Sequence, residues 1–365
     1  MEPSAKVARP EPLLSRLNNG ENVLCAEGYL FAFERQGYLT AGSFVPEVVI
    51  EYPHLVKQMH LDFVRAGSDV VEAFTYYAHR EKLRIIGREN DLEQMNRSAL
   101  RIAKDVATST GTLMAGNICN TNIYDPTDPE MIEKSRGIFE EQVKWAVEEG
   151  ADYIIAETFG MQAEALLALE AIKAHDIPAV VTMTPNLDDD TTIDPGEKIP
   201  VAQALRTLEE HGADVVGVNC WRGPATMLPL MEKVRRACKG HVAALPVPYR
   251  TTPQRQSFFV LKDLATESQL SFPCNLDEHL ATRRAMADFA VKANEMDIKY
   301  LGICCGNSPG HMRSLAEALG RRPEASKYSA DMSKHFMLGS DSSLKEANTK
   351  TLHQKLYGAA EPEEE

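Results

Sequence analysis

Asp214-Val-Val-Gly-Val-Asn-Cys220 opens on an acid, runs apolar and closes on an amide and a thiol. A strand covered on both faces reads this way, near-continuously apolar rather than alternating. Asp152-Tyr-Ile-Ile-Ala-Glu157 has the same form. Outward from these two, short apolar runs recur: Val23 to Ala26, Val70 to Tyr76, Leu113 to Ile118, Tyr153 to Glu157, Ala179 to Met183, Val215 to Asn219, Val242 to Pro246 and Tyr300 to Cys304. They predict eight parallel strands, with no internal repeat of sequence beyond this repeat of type.

Between the strands lie helical patterns. Leu92, Met95, Ala99, Ile102, Ala103 and Val106 recur at three- and four-residue steps, and Ile138, Val143, Ala146 and Val147 do so in the next helix. Gly150, Gly212 and Gly240 sit where C-terminal caps belong, and Ser308-Pro309 suits an N-cap followed by Pro. Strand then helix, eight times, predicts an α/β fold, a single (β/α)8 TIM barrel with a C-terminal extension. A doubly wound sheet would put a glycine-rich phosphate loop after the first strand, and Ala26-Glu27-Gly28-Tyr29 is not one. The expected layout is a tail over residues 1–11, the barrel over 12–320, and an extension over 321–365 that is partly disordered or an oligomerisation arm. Two long connections, Asn186 to Ile199 and Tyr249 to Asp277, follow strands and belong on the catalytic face.

Composition narrows the function. Of 365 residues, 44% are apolar and 25% charged, enough to bury a large core without disulfides. A net charge of −14 argues against nucleic acid and anionic membranes as partners. The opening Met1 to Glu21 lacks the apolar core of a secretory signal, so the expected compartment is the cytoplasm. Cysteines that cluster in a reducing compartment point to metal or catalysis rather than bridges.

Cys220 closes the sixth strand, and Cys304 and Cys305 close the eighth. In a barrel both strand ends reach one rim. Taken singly each would be an ordinary buried thiol; together they predict a zinc site with three cysteine ligands. Three ligands leave a tetrahedral ion one open position, which suits a thiol substrate held as thiolate. The helix starting near Ser308 points its N-terminus at the same rim. Cys25, Cys238 and Cys274 are expected to be packing or surface residues, with Cys119 at the third strand's end an outside candidate. The ten histidines form no HExxH pair.

Gly217-Val-Asn-Cys220 and Gly302-Ile-Cys-Cys-Gly306 resemble motifs of the homocysteine S-methyltransferase family, most nearly its betaine-using branch. Phe31-Ala-Phe-Glu-Arg-Gln-Gly-Tyr-Leu-Thr-Ala-Gly42, Ala73-Phe-Thr-Tyr-Tyr-Ala78 and Ile155-Ala-Glu157 extend the resemblance, over roughly residues 12 to 320. It implies a zinc-dependent methyltransferase acting on the sulfur of homocysteine, with small-molecule partners and possible homo-oligomers. It places Glu27, Gly28, Glu157 and Asn219 on the homocysteine side, Glu157 matching the carboxylate that holds the amino group. Three positions depart from the branch. Its strand-1 Asp-Gly-Gly is Ala26-Glu27-Gly28 here, and Glu27 replaces the Asp only through a local irregularity, because adjacent strand residues face opposite ways. A Tyr after the strand-4 glutamate is Thr158, and a donor-binding Trp is Phe44.

A methyl donor needs a good leaving group, which onium compounds have. Phe44, Tyr76 and Tyr77 are expected on the catalytic face, where aromatic rings attract such cations by about 0.5–2 kcal/mol each. Glycine betaine is the favoured donor. S-methylmethionine, dimethylsulfoniopropionate, or a catalytically altered zinc barrel are the alternatives.

Overall fold

The computed structural model describes residues 9–194, 198–306, 308–352 and 354–355. Eight parallel strands close on themselves in chain order: β1 Val23–Ala26, β2 Val70–Glu72, β3 Leu113–Cys119, β4 Tyr153–Phe159, β5 Ala179–Met183, β6 Val215–Asn219, β7 His241–Leu245 and β8 Tyr300–Ile303. Helices connect them, among them Leu92–Thr110 and Pro129–Glu148 at the two amphipathic stretches. The expected (β/α)8 barrel is therefore the fold.

Strand alternation divides the core in two. Val23, Cys25, Leu113, Ala115, Tyr153, Ile155, Val215, Ala243, Leu245 and Tyr300 fill the lumen, and Leu13 and Leu17 of the helix Leu13–Asn18 belong to the same cluster. Their neighbours Leu24, Ala26, Ile154, Ala156, Val216, Val218, Leu301 and Ile303 pack outward under the helices. Inside the lumen the hydroxyls of Tyr153 and Tyr300 bond each other at 2.9 Å. Each thereby avoids the roughly 1–3 kcal/mol penalty of an unpaired buried polar group.

The end where the strands begin carries a device absent from the sequence reading. Gly67-Ser-Asp69, Gly150-Ala-Asp152 and Gly212-Ala-Asp214 precede β2, β4 and β6. Each glycine is left-handed, at φ 112°, 82° and 95°, and turns the chain from helix to strand. Each aspartate then grips one residue of the preceding strand twice. Its N–H donates to the carbonyl of Leu24, Met114 or Ala179, at 2.8, 2.8 and 3.0 Å. Its carboxylate accepts that same residue's N–H at 2.8 Å. The pattern recurs every second strand, so it is a repeat after all.

Two local expectations are corrected. β2 ends at Glu72, not Tyr76: the Thr75 N–H turns back to the Ala73 carbonyl at 2.8 Å and Tyr77 is left-handed at φ 59°, so this segment leaves the sheet. Gly240 is not a cap: the helix Pro224–Ala237 ends on an extended Cys238, and the Gly240 N–H donates to the Glu209 carboxylate just before β7. Gly150 and Gly212 do take the left-handed conformation, and Ser308 accepts the His311 N–H at 3.3 Å as N-cap of Pro309–Ala318.

The chain divides into two units, Met1–Glu324 and Ala325–Glu365. Within the second, Asp331 caps a 3-10 turn, Met332–Lys334, by accepting the Ser333 N–H at 3.2 Å, and Tyr328, Met332 and Phe336 are exposed. The acidic last five residues lie outside the described ones. Among the described residues no helix is long and apolar enough to cross a membrane.

Candidate active site

The sulfurs of Cys220, Cys304 and Cys305 lie within 4.8 Å of one another, and all three residues are buried. Cys220 follows β6, while Cys304 and Cys305 follow β8, so the barrel brings them together across β7. Cys304 and Cys305 are 3.9 Å apart at sulfur. A tetrahedral ion with sulfur ligands at about 2.3 Å requires an edge of about 3.8 Å, so the pair is spaced for one. The thiols ionise unevenly: hydrogen bonds from Cys304 and then Cys305 lower Cys220 to about 5. Burial raises Cys304 above the usual thiol range, and the hydrogen bond to Cys220 raises Cys305. One thiolate stabilised by two thiols is a donor set that a divalent soft cation fits.

Beside the sulfurs the lumen ends in a polar layer. Glu27, Glu72 and Glu157 are buried there, bridged by two amides. The Asn117 side-chain N–H donates to Glu72 and, at 2.6 Å, to Glu157. The Asn219 side-chain N–H donates to Glu157 at 2.7 Å and reaches Glu27 at 3.5 Å, and Asn219 Oδ1 accepts the Thr158 N–H at 3.0 Å. Burial raises the proton affinity of all three carboxylates, and the Glu157 charge adds to it for Glu27 and Glu72. For Glu157 burial, with Cys304 behind it, pushes the carboxyl up to about 8. A bound cation would relieve this cluster.

Glu27 reaches the layer without the irregularity expected of it. Cys25 faces the lumen and Ala26 the helices, so Glu27 faces inward again by ordinary alternation. Gly28 follows at φ 71°, and a Cβ there would stand 2.3 Å from the Cys305 nitrogen, so only glycine lets the two strand ends meet.

Above the sulfurs opens a cavity of about 510 Å³. Phe44, Tyr76 and Tyr77 line it together with Cys220 and Cys305. The Tyr76 and Tyr77 rings are 4.4 Å apart, and the Lys82 ammonium sits 4.0 Å over Tyr77. Trp221, Phe258, Phe259 and Phe272 complete an aromatic wall that sequence reasoning missed. The last three come from the long loop after β7, where no periodicity betrays them. Nine non-glycine residues among those described are left-handed, and six of them, Phe44, Tyr77, Asn122, Thr158, Cys220 and Trp221, line this cavity. Such backbone costs about 1–3 kcal/mol per residue and gathers where geometry serves a ligand.

The remaining cysteines stand apart from the triad. Cys119 accepts the Tyr77 N–H at 3.3 Å. Cys25 lies in the lumen within 4.8 Å of Glu27 and Glu72 ligand atoms, Cys238 is buried, and Cys274 is exposed. Glu72 and Asn117 were also missed, although a charged residue inside Val70-Val-Glu-Ala-Phe74 breaks an apolar run and was a visible signal.

Comparison with known proteins agrees with this geometry. Residues 31–319 match the family model described as homocysteine S-methyltransferase. The chain is 35% identical over 347 residues to S-methylmethionine–homocysteine S-methyltransferase BHMT2 of Pongo abelii, spanning 93% of this chain and 89% of that one. It is 33% identical over 339 residues to betaine–homocysteine S-methyltransferase 1 of Bos taurus, spanning 90% and 79%. Among solved structures, the metallated form of the homocysteine methyltransferase MmuM of Escherichia coli shares the fold, with a TM-score of 0.64 over 84% of this chain and 99% of that one, at 17% identity.

Proposed function

This chain belongs to the homocysteine S-methyltransferase family, and from that premise we propose a zinc-dependent enzyme that moves a methyl group from glycine betaine to the thiol of homocysteine, giving methionine. The observation that carries the proposal is the thiol triad, two of whose members, Cys220 and Cys305, line an aromatic cavity.

Cys220, Cys304 and Cys305 would hold the ion, whose contribution when bound is Lewis acidity that keeps a substrate thiol ionised near neutral pH. The other tasks fall to the chain. Glu27 and Glu157, oriented by Asn219, receive the ammonium of homocysteine. Phe44, Tyr76, Tyr77 and Trp221 offer ring faces to the trimethylammonium group, for about 0.5–2 kcal/mol each. Lys82 is the basic side chain on the cavity wall and suits the donor's carboxylate. The substrate sulfur then attacks the methyl carbon in line. A C–S bond forms, the C–N bond breaks, and its electron pair stays on nitrogen, so dimethylglycine leaves as a neutral amine. Opposite charges cancel as the bond forms, so burial of the reacting groups favours the step, and alignment supplies much of the rest. No side chain need act as a base.

A second reading takes S-methylmethionine as the donor. Glu164, 3% exposed on the same cavity wall as Lys82, supplies the opposite charge that an amino-acid donor would need. Purified zinc-loaded protein offered homocysteine with glycine betaine, S-methylmethionine or dimethylsulfoniopropionate separates the readings by methionine formed. Methionine from betaine is the expected result; none from any donor sinks the methyl-transfer proposal.

A further inference from the structure

Glu72 is a buried carboxylate to which the reaction above gives no task. We propose that it is a third ligand for the ammonium of the acceptor, which makes a free primary amine a required feature of the thiol substrate. The inference rests on the homocysteine reading and specifies the acceptor class within it.

Glu72 ends β2 with its side chain in the lumen and is 2% exposed. One carboxylate oxygen accepts the Asn117 amide; the other, Oε2, has no hydrogen-bond partner. Glu27 repeats the arrangement, with Oε2 toward Asn219 and Oε1 unpartnered. Leaving such buried atoms bare costs about 1–3 kcal/mol each, more when charged. The small recess beside Glu72 is walled by Glu157, Cys305, Tyr76 and apolar or backbone groups, with no lysine or arginine. Glu27 offers ligand atoms within 4.8 Å of both Glu72 and Glu157.

A primary ammonium carries three N–H donors and no acceptor. Glu72 and Glu157 line the recess and Glu27 offers ligand atoms within 4.8 Å of each, so carboxylates surround the place of the ammonium's donors, and charge-assisted bonds are the stronger kind. A hydroxyl or a secondary amide in the same place would leave at least one carboxylate bare. Because Cys305 shares the recess wall with Glu72 and Glu157, a ligand anchored there by its amine has its thiol close to the sulfurs. The free space in the recess, about 10 Å³, is on the scale of a single water molecule or an ammonium group.

The test is calorimetric binding of L-homocysteine and of 4-mercaptobutyrate, which keeps the thiol and carboxylate but lacks the amine, to the full-length zinc-loaded protein and to Glu72→Gln. Glutamine keeps the shape and the carbonyl facing Asn117 while removing the charge. Homocysteine affinity should fall about tenfold or more in the variant, with 4-mercaptobutyrate within about twofold of its original value. Equal losses for both thiols would mark Glu72 as structural, and an unchanged homocysteine affinity would leave it no role; either overturns the inference while the acceptor reading stands. A second measurement needs no variant: the unaltered protein should bind homocysteine at least about tenfold more tightly than 4-mercaptobutyrate, and equal affinities would overturn the inference. An unaltered protein that binds neither thiol would instead bring down the homocysteine reading itself.

Discussion

The two ends of the barrel are built to opposite rules. Where the strands begin, aspartates hold their neighbours by paired bonds: Asp69 also takes Arg16 at 3.0 Å and Arg321 at 2.5 Å, and Asp214 takes Lys173 at 3.3 Å. Charges there meet opposite charges. Where the strands end, carboxylates crowd one another, Glu27 and Glu72 keep bare oxygens, and six cavity residues hold left-handed backbone. One end uses its polar groups to hold the fold; the other leaves carboxylate oxygens without a hydrogen-bond partner.

The contrast breaks most sharply if the sulfurs prove dispensable. Cys305→Ala should lose metal and cut methyl transfer by at least about a hundredfold, since Lewis-acid assistance supplies several kcal/mol, while its thermal midpoint without metal stays near that of the stripped parent. Metal analysis and methionine assay read this, and full activity without metal would end the reading. At the other end, Asp152→Ala should lower unfolding free energy by about 1.5–3 kcal/mol, the worth of hydrogen bonds to a charged group, with the KM for homocysteine unchanged. Urea unfolding beside steady-state kinetics would show it; a KM shift with no loss of stability would reverse the assignment of the two ends. The smallest effect concerns pH. His79, buried at the upper rim, has its imidazole lowered to about 3 by burial, with the Lys82 charge adding to it. An unfolded chain protonates histidine near 6.5, so stability present above that value is lost as pH falls toward 3. His79→Gln should remove about 1–2 kcal/mol of this acid sensitivity. Parallel acid-unfolding curves for variant and parent would contradict it.

Much of this was legible from residues alone, for physical reasons. Doubly buried strands must be apolar, so their runs stood out, and Cys220, Cys304 and Cys305 could be placed on one rim because strand ends share a face. Phe44, Tyr76 and Tyr77 do line the cavity together. The rest depended on facts that one-dimensional patterns lose. Glu27 looked displaced by one position, yet its inward aim follows from where β1 begins and ends. Trp221 and the three phenylalanines of the β7 loop meet only through the path of an irregular segment. The aspartate clamps were hidden for a different reason: their triplets are short, and only their placement every second strand gives them meaning.

Those clamps also divide the barrel mechanically. They fasten β1 to β2, β3 to β4 and β5 to β6, and the first of these seams needs it most, since its ladder has a single register pair, Cys25 with Val70. Among the described residues no aspartate fastens β6 to β7 or β7 to β8 in this way, and on the β8–β1 side the Val23 N–H donates to the carbonyl of Lys299, just before β8, at 2.8 Å. The wall therefore carries three clamped seams, and the seams on either side of β7 are held by their ladders. Those two unclamped seams are the ones that separate the strand end bearing Cys220 from the strand end bearing Cys304 and Cys305, so the spacing of the sulfurs is set by β7 and its two ladders.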